Sequence, residues 1–351
     1  MNPTTSLLPL PAHYDRAHAG SWAYRPDQAE LAASAAAWRR THAIKASGAD
    51  ERRVHLLLID VQKDFCFPDG SLYVAGRSGT GAIDDSRRIA ELVYQNLGVI
   101  TDITTTMDTH FAFQIFFPAF WLDHADQPLS AHRVITSEQI ARGEVRPNPA
   151  MAKWMCGGNY AWLCKQVRFY CDELEQAGKY QLYLWPPHCL LGSDGHALAG
   201  VVHAARMFHS FARGAQSWVE VKGGNPLTEN YSVLRPEVLA RWDGASLAQR
   251  NTQFVKTLLA ADAVVIAGQA ASHCVKSTID DLLDEIVAFD AVLARKVYLV
   301  TDCMSSVTVP DGKGGLAADF TPAADQALAR FAAAGMNLVR STDPITSWPG
   351  L

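Results

Sequence analysis

The chain has 351 residues, long enough for two domains at about 150 residues each. Hydrophobic residues are 48% and charged residues 19%, ordinary globular usage that excludes a disordered chain or a coiled coil and requires a buried core. Its 31 basic and 36 acidic side chains leave a net charge of -5; both signs are scattered, so no basic face awaits a phosphate backbone and nucleic acid is not an expected partner.

Residues 1–50 read as an Ala-rich, polar extension with one helix near Gln28 to His42. Val54 to Val61 is a continuous apolar run ending in acid, predicted as a strand buried on both faces with Asp60 at its C-terminal end. Further strand-like runs follow at Gly98 to Thr104, Gln181 to Trp185, Ser217 to Val221, Ala263 to Gly268 and Lys296 to Thr301. Helix-length segments lie at Asp84 to Asn96, Ala197 to Ala212, Leu247 to Ala260, Val275 to Phe289 and Pro322 to Ala334. This alternation predicts a three-layer α/β/α fold with a mainly parallel, doubly wound sheet over residues 51–351. The rhythm breaks between about 111 and 180, where an aromatic cluster and a polar stretch predict an inserted subdomain or a lid.

Cys274 follows a buried strand and a turn of small residues and precedes a helix. A helix N-terminus there would favour thiolate over thiol and offer free N–H groups to a developing oxyanion, although a cysteine at such a junction also serves as core filling. Asp60 could act as a base or cap a turn, and Lys222, ahead of two glycines, could be catalytic or merely solvated. Convergence raises all three, because strand C-termini of a doubly wound sheet meet at one edge. Asp108, His110 and His188 follow two strand-like runs and could hold a divalent metal, or be a loop acid and satisfied core histidines. Seven cysteines without a C-x-x-C pair fit neither a disulfide framework nor a zinc knuckle, so a reducing, cytoplasmic setting is expected. Met1 to Pro11 lacks the basic start of a leader, no apolar run nears the roughly 18 residues of a membrane span, and no membrane partner is expected.

As an ordered set, these segments resemble the nicotinamidase branch of the isochorismatase-like cysteine hydrolases. Ile59 to Cys66 resembles its first strand and acid, Met107 to His110 its D-x-H metal segment, and Trp185 to Cys189 its W-P-x-H-C loop. Val221 to Gly223 followed by Tyr231 resembles the lysine segment, and Gly268 to Val275 the nucleophile turn. The resemblance implies Asp60, Lys222 and Cys274 as catalytic residues, the N–H groups of Ala270 and Cys274 as an oxyanion hole, and a cis Gln269–Ala270 peptide. It also implies Phe65, Trp185 and Tyr231 as aromatic walls for the substrate, and Asp108, His110 and His188 as ligands of Zn, Fe or Mn. The implied reaction is cleavage of a small aromatic or heterocyclic carboxamide through a thioester, by a homo-oligomer. A metal-independent carbamoyl or ureido amidohydrolase and a catalytically idle ligand-binding relative are the alternatives. Many such enzymes carry a further histidine where this chain has Gln114, leaving Gln114, a water, or His124 or His132 of the insertion to take that place. The looser spacing from Lys222 to Tyr231 and the insertion beside the metal segment leave room for a bulkier or N-substituted amide.

Overall fold

The computed structural model describes residues 7–178 and 180–351. Six strands form one parallel sheet: β1 (Val54–Ile59), β2 (Asp102–Asp108), β3 (Trp218–Lys222), β4 (Ala263–Gly268), β5 (Val297–Val300) and β6 (Asn337–Val339). Their order is β6-β5-β4-β1-β2-β3, and every neighbouring pair is parallel. The chain runs outward from β1 to β3, then returns to the other side of β1 with β4. That reversal makes the β1/β4 boundary the switch point, where open α/β sheets form a crevice beyond the strand C-termini.

Alternation along the strands divides the interior in two. Leu56 and Leu58 of β1 face one hydrophobic core, whereas Leu57 and Ile59 face the other. The first core is covered by α1 (Gln28–Thr41), α2 (Gly81–Gln95) and α4 (Gly200–Arg213), together with α3 (Tyr160–Ala177) of the insertion. The second is covered by α5 (Thr252–Ala260), α6 (Cys274–Phe289) and α7 (Thr321–Ala333). This is the three-layer α/β/α arrangement predicted from the alternation.

The N-terminal segment is packed into this body. Leu31 and Ala35 of α1 join the first core with Phe208 of α4, and the fully buried Arg213 pairs with the Asp50 carboxylate and donates to the Lys45 carbonyl. Among the described residues, no helix is long and apolar enough to cross a membrane.

Two strand expectations are corrected. The run Gly98 to Thr104 becomes strand only from Asp102, because Val99 and Ile100 turn back to donate to the Asn96 carbonyl. The run at Gln181 to Trp185 forms a strand only over Leu182–Leu184, and it lies outside the main sheet, paired antiparallel with Arg133–Ile135. The sixth strand of the main sheet is instead β6, an edge strand of three residues that was not anticipated. The insertion also has definite structure: a ribbon of Trp121–Asp123 with Val145–Pro147, and the 18-residue helix α3.

Candidate active site

Strand register brings the chemistry together. Lys222, the last residue of β3, pairs with Asp108, the last of β2, so their side chains emerge side by side. Ile59 pairs with Gly268, which sets Asp60 next to the turn leading to Cys274. Asp60 itself has φ 46°, a left-handed conformation that aspartate enters more readily than most residues. It ends β1 there. Thr106 of β2 fixes the result, because its hydroxyl accepts the Asp60 N–H and donates to the Asp60 carboxylate.

The Lys222 ammonium lies 2.9 Å from Asp60 Oδ2, 3.0 Å from Asp108 Oδ1 and 3.6 Å from Cys274 Sγ, with every member buried. The acidic and sulfur heads of Asp60, Asp108 and Cys274 stand within 4.8 Å of one another, with Lys222 already serving as their cation. Burial alone would lower the lysine's pKa, but the two carboxylates outweigh it and hold the ammonium well above its usual range. Burial raises the Asp60 carboxyl, with Lys222 opposing.

The expectation of a lowered thiol pKa at the helix N-terminus is corrected. Burial pushes the Cys274 thiol well up, Lys222 pulls it down, and the nearby carboxylates push it up again. Burial thus favours a protonated thiol, with the Asp60 carboxyl beside it as the group placed to take the proton as the sulfur attacks. The peptide between Gln269 and Ala270 is cis. Among the described residues, the N–H groups of Ala270 and Cys274 donate to no protein acceptor, and both residues line the adjoining cleft.

A second cluster shares Asp108. His110 Nε2 is 2.9 Å and His188 Nε2 3.6 Å from Asp108 Oδ2. Each ring has its other nitrogen at a backbone carbonyl: His110 Nδ1 is 3.2 Å from Gly223 O, and His188 Nδ1 is 2.7 Å from Pro186 O. Carbonyls only accept, so both Nδ1 atoms carry the hydrogen and both Nε2 lone pairs point toward the same carboxylate. Burial lowers the His110 pKa against the opposing pull of Asp108, and two imidazole nitrogens and a carboxylate oxygen converge within 4.8 Å of one another. That donor set fits a divalent cation of the Zn, Fe or Mn type.

Gln114 is buried, and its Nε2 donates to Gly223 O, the carbonyl that also orients His110. It thus braces the imidazole. His124 and His132 are exposed on the insertion, the latter against the Tyr183 hydroxyl, and neither joins the Asp108, His110 and His188 group.

No protein-family model matches this sequence, and no curated protein matches it. Solved nicotinamidases and pyrazinamidases are similar in structure. The nicotinamidase/pyrazinamidase of Acinetobacter baumanii is 18% identical with a TM-score of 0.47, covering 84% of this chain and 98% of its own. The yeast nicotinamidase bound to the inhibitor nicotinaldehyde is 18% identical with a TM-score of 0.48, covering 82% and 99%. Pyrococcus horikoshii pyrazinamidase in complex with zinc is 16% identical with a TM-score of 0.42, covering 82% and 99%.

A cleft lies beyond the strand C-termini at the switch point. Cys274 and His188 reach it, with Phe65, Trp185 and Tyr231 among its walls. Trp185 Nε1 donates to the Tyr231 hydroxyl at 2.7 Å, tying two walls together despite the loose spacing that precedes Tyr231. Four contributors escaped the sequence reading. Thr106 holds Asp60. His273 packs against Trp185 and Tyr231, and burial pushes it down to about 4, so it is neutral at pH 7. Glu229 lines the cleft, and Tyr170 of α3 holds it. His273 stood within the nucleophile turn, yet nothing in a sequence tells a neutral wall from a base; the other three are ordinary loop, strand or helix residues until folding buries them.

Proposed function

We propose that this chain hydrolyses the C–N bond of a small aromatic or heterocyclic carboxamide through a thioester on Cys274. The supporting observation is the Lys222 ammonium lying between the Asp60 carboxylate and the Cys274 sulfur, 2.9 Å from one and 3.6 Å from the other. In this reading the thiol passes its proton to Asp60 as sulfur bonds to the carbonyl carbon, and Lys222 stabilises the sulfur's developing charge. The carbonyl electron pair moves onto oxygen, where the undonated N–H groups of Ala270 and Cys274 receive it. Collapse re-forms the carbonyl and breaks the C–N bond, with Asp60 returning its proton to the departing nitrogen. Water then gives a proton to Asp60 and its oxygen to the thioester carbon; the sulfur leaves and recovers that proton.

The aromatic walls Phe65, Trp185 and Tyr231 favour a flat substrate. Asp108, His110 and His188 would hold a divalent cation, which when bound supplies an electrophilic anchoring point on the cleft wall.

The test is ammonia release from nicotinamide, pyrazinamide and benzamide, run beside carbamoyl and ureido compounds. Cys274→Ala should reduce release by about a thousandfold or more while circular dichroism stays unchanged; undiminished turnover refutes the assignment. Turnover confined to ureido compounds would move the reading to the carbamoyl class, and silence throughout would leave a ligand-binding protein.

A further inference from the structure

The turn that carries the nucleophile is held by a buried acid that the proposed hydrolysis does not use. Asp85 lies on α2, 2% exposed, and its Oδ2 accepts from Gln269 Nε2 at 2.9 Å, across 184 residues of sequence. Gln269 is fully buried and its other amide atom, Oε1, has no hydrogen-bond partner, so the bond to Asp85 alone fixes the side-chain amide. Arg88 Nη1 lies 3.3 Å from Asp85 Oδ1 and donates to the Asp302 carbonyl at 2.9 Å, tying the same carboxylate to the loop after β5. Ser305 of that loop also hydrogen-bonds to the Asp85 carboxyl through its side chain. Burial pushes this carboxyl up to about 6, against the pull of Ser305, Gln269 and Arg88, so above neutral pH it is largely the charged and stronger acceptor.

The backbone of the turn has one loose link. The Gly268 N–H donates to the Cys303 carbonyl at 3.0 Å, that of Gln269 to Ile59 at 2.7 Å, and that of Ala271 to Ser305 at 2.8 Å. Among the described residues, the peptide between Gln269 and Ala270 has neither its C=O nor its N–H bonded to protein. Its direction is therefore set by what holds the residues on either side. On the Gln269 side, that includes the side chain clamped to α2. An oxyanion donor works by being aimed before the charge develops, and a displacement of about 1 Å can cost roughly a hundredfold in rate.

Resting on the amidase reading above, we propose that Asp85 is a positioning residue, which through Gln269 sets the direction of the Ala270 N–H toward the developing oxyanion. Neither Asp85 nor Gln269 lines the cleft, so the pair acts from behind the turn and leaves the binding walls to other residues.

The experiment compares the parent chain with Asp85→Leu, Asp85→Asn and Gln269→Leu. Both leucine variants should lower kcat for nicotinamide by about tenfold or more, with KM within about threefold of the parent. Asp85→Asn keeps an acceptor oxygen for Gln269 and should retain most of the parent kcat. Pyridine-3-carbaldehyde probes the N–H directly, because sulfur bonds to its carbonyl carbon, the thiol proton passes to Asp60, and the oxygen takes the electron pair in the oxyanion position. By calorimetry its Kd should rise about tenfold in the leucine variants, while that of pyridine-3-carboxylate, which forms no such adduct, stays near the parent value. Parent-like kcat and aldehyde Kd in both leucine variants, a loss in Asp85→Asn equal to that in Asp85→Leu, or a rise in carboxylate Kd matching that of the aldehyde overturns the inference and leaves the amidase reading intact. If the parent hydrolyses no amide, the amidase reading falls, and the aldehyde and carboxylate Kd values decide the role of Asp85 by the same criterion. An aldehyde bound by the parent no more tightly than the carboxylate then overturns it. Should Asp85→Leu fail to fold, Gln269→Leu and Asp85→Asn carry the test.

Discussion

Replacing Lys222 with methionine keeps much of the side chain's length and removes its charge, leaving Asp60 and Asp108 facing each other without a cation. Their oxygens lie within 4.8 Å, where two negative charges repel by about 3.5 kcal/mol at an effective dielectric constant near 20. Removing one partner of a buried ion pair costs about 3–5 kcal/mol by the same order of argument. The deficit should depend on pH. Burial already raises the Asp60 carboxyl, and loss of the ammonium raises it further. An acid whose folded pKa lies above its unfolded one binds its proton first in the folded state, so acidification favours folding until the unfolded chain protonates too. In the parent chain the Lys222 pKa is raised, so its contribution is fully present across neutral pH and is lost only in strong alkali. Urea titrations of parent and Lys222→Met near pH 5.5 and near pH 8.5 measure the difference. The variant should be several kcal/mol less stable at the higher pH, the gap narrowing by up to about 1.4 kcal/mol per pH unit on acidification. A variant as stable as the parent at alkaline pH, with no trend, would show that the ammonium does not hold these carboxylates together.

Thr106→Val removes a hydrogen bond that lowers the pKa of Asp60 against the dominant effect of burial, so the acid limb of kcat/KM should move to higher pH; an unmoved limb argues against Asp60 as the titrating base. Gly223→Ala would place a methyl group 2.5 Å from His110 Cε1 and 2.8 Å from Asp108 Oδ1, on a backbone at φ +86°. Metal retention after dialysis against a chelator, read by elemental analysis, should fall about tenfold or more without any ligand being replaced. Unchanged retention would separate these side chains from metal binding.

Much of the sheet was readable because its strands are short apolar runs, and Asp60 and Lys222 stood out as charges at the ends of such runs. The Gln181 to Trp185 run looked no different, yet it pairs with the insertion, because a run of apolar residues states burial and not partner. His188 still reaches the site, since the loop behind that strand returns to β2, with His110 N–H donating to the Cys189 carbonyl. Helix α3 was hidden by its composition. Leu163, Gln166, Val167, Tyr170, Cys171 and Leu174 recur at helical spacing on its buried face, but a glutamine, a tyrosine and a cysteine blur the apolar stripe. Glu229 was illegible for a simpler reason. Its place in the cleft wall depends on a hydroxyl 59 residues earlier, and no local pattern encodes such a contact.

Asp108 belongs to two neighbourhoods at once: one oxygen faces Lys222 and the other faces the two imidazoles. Any change of charge on the imidazole side is therefore felt across a single carboxylate by the ammonium beside the sulfur. The two halves of the pocket cannot be tuned independently, and a swap at this one residue would disturb ligand anchoring and bond cleavage together.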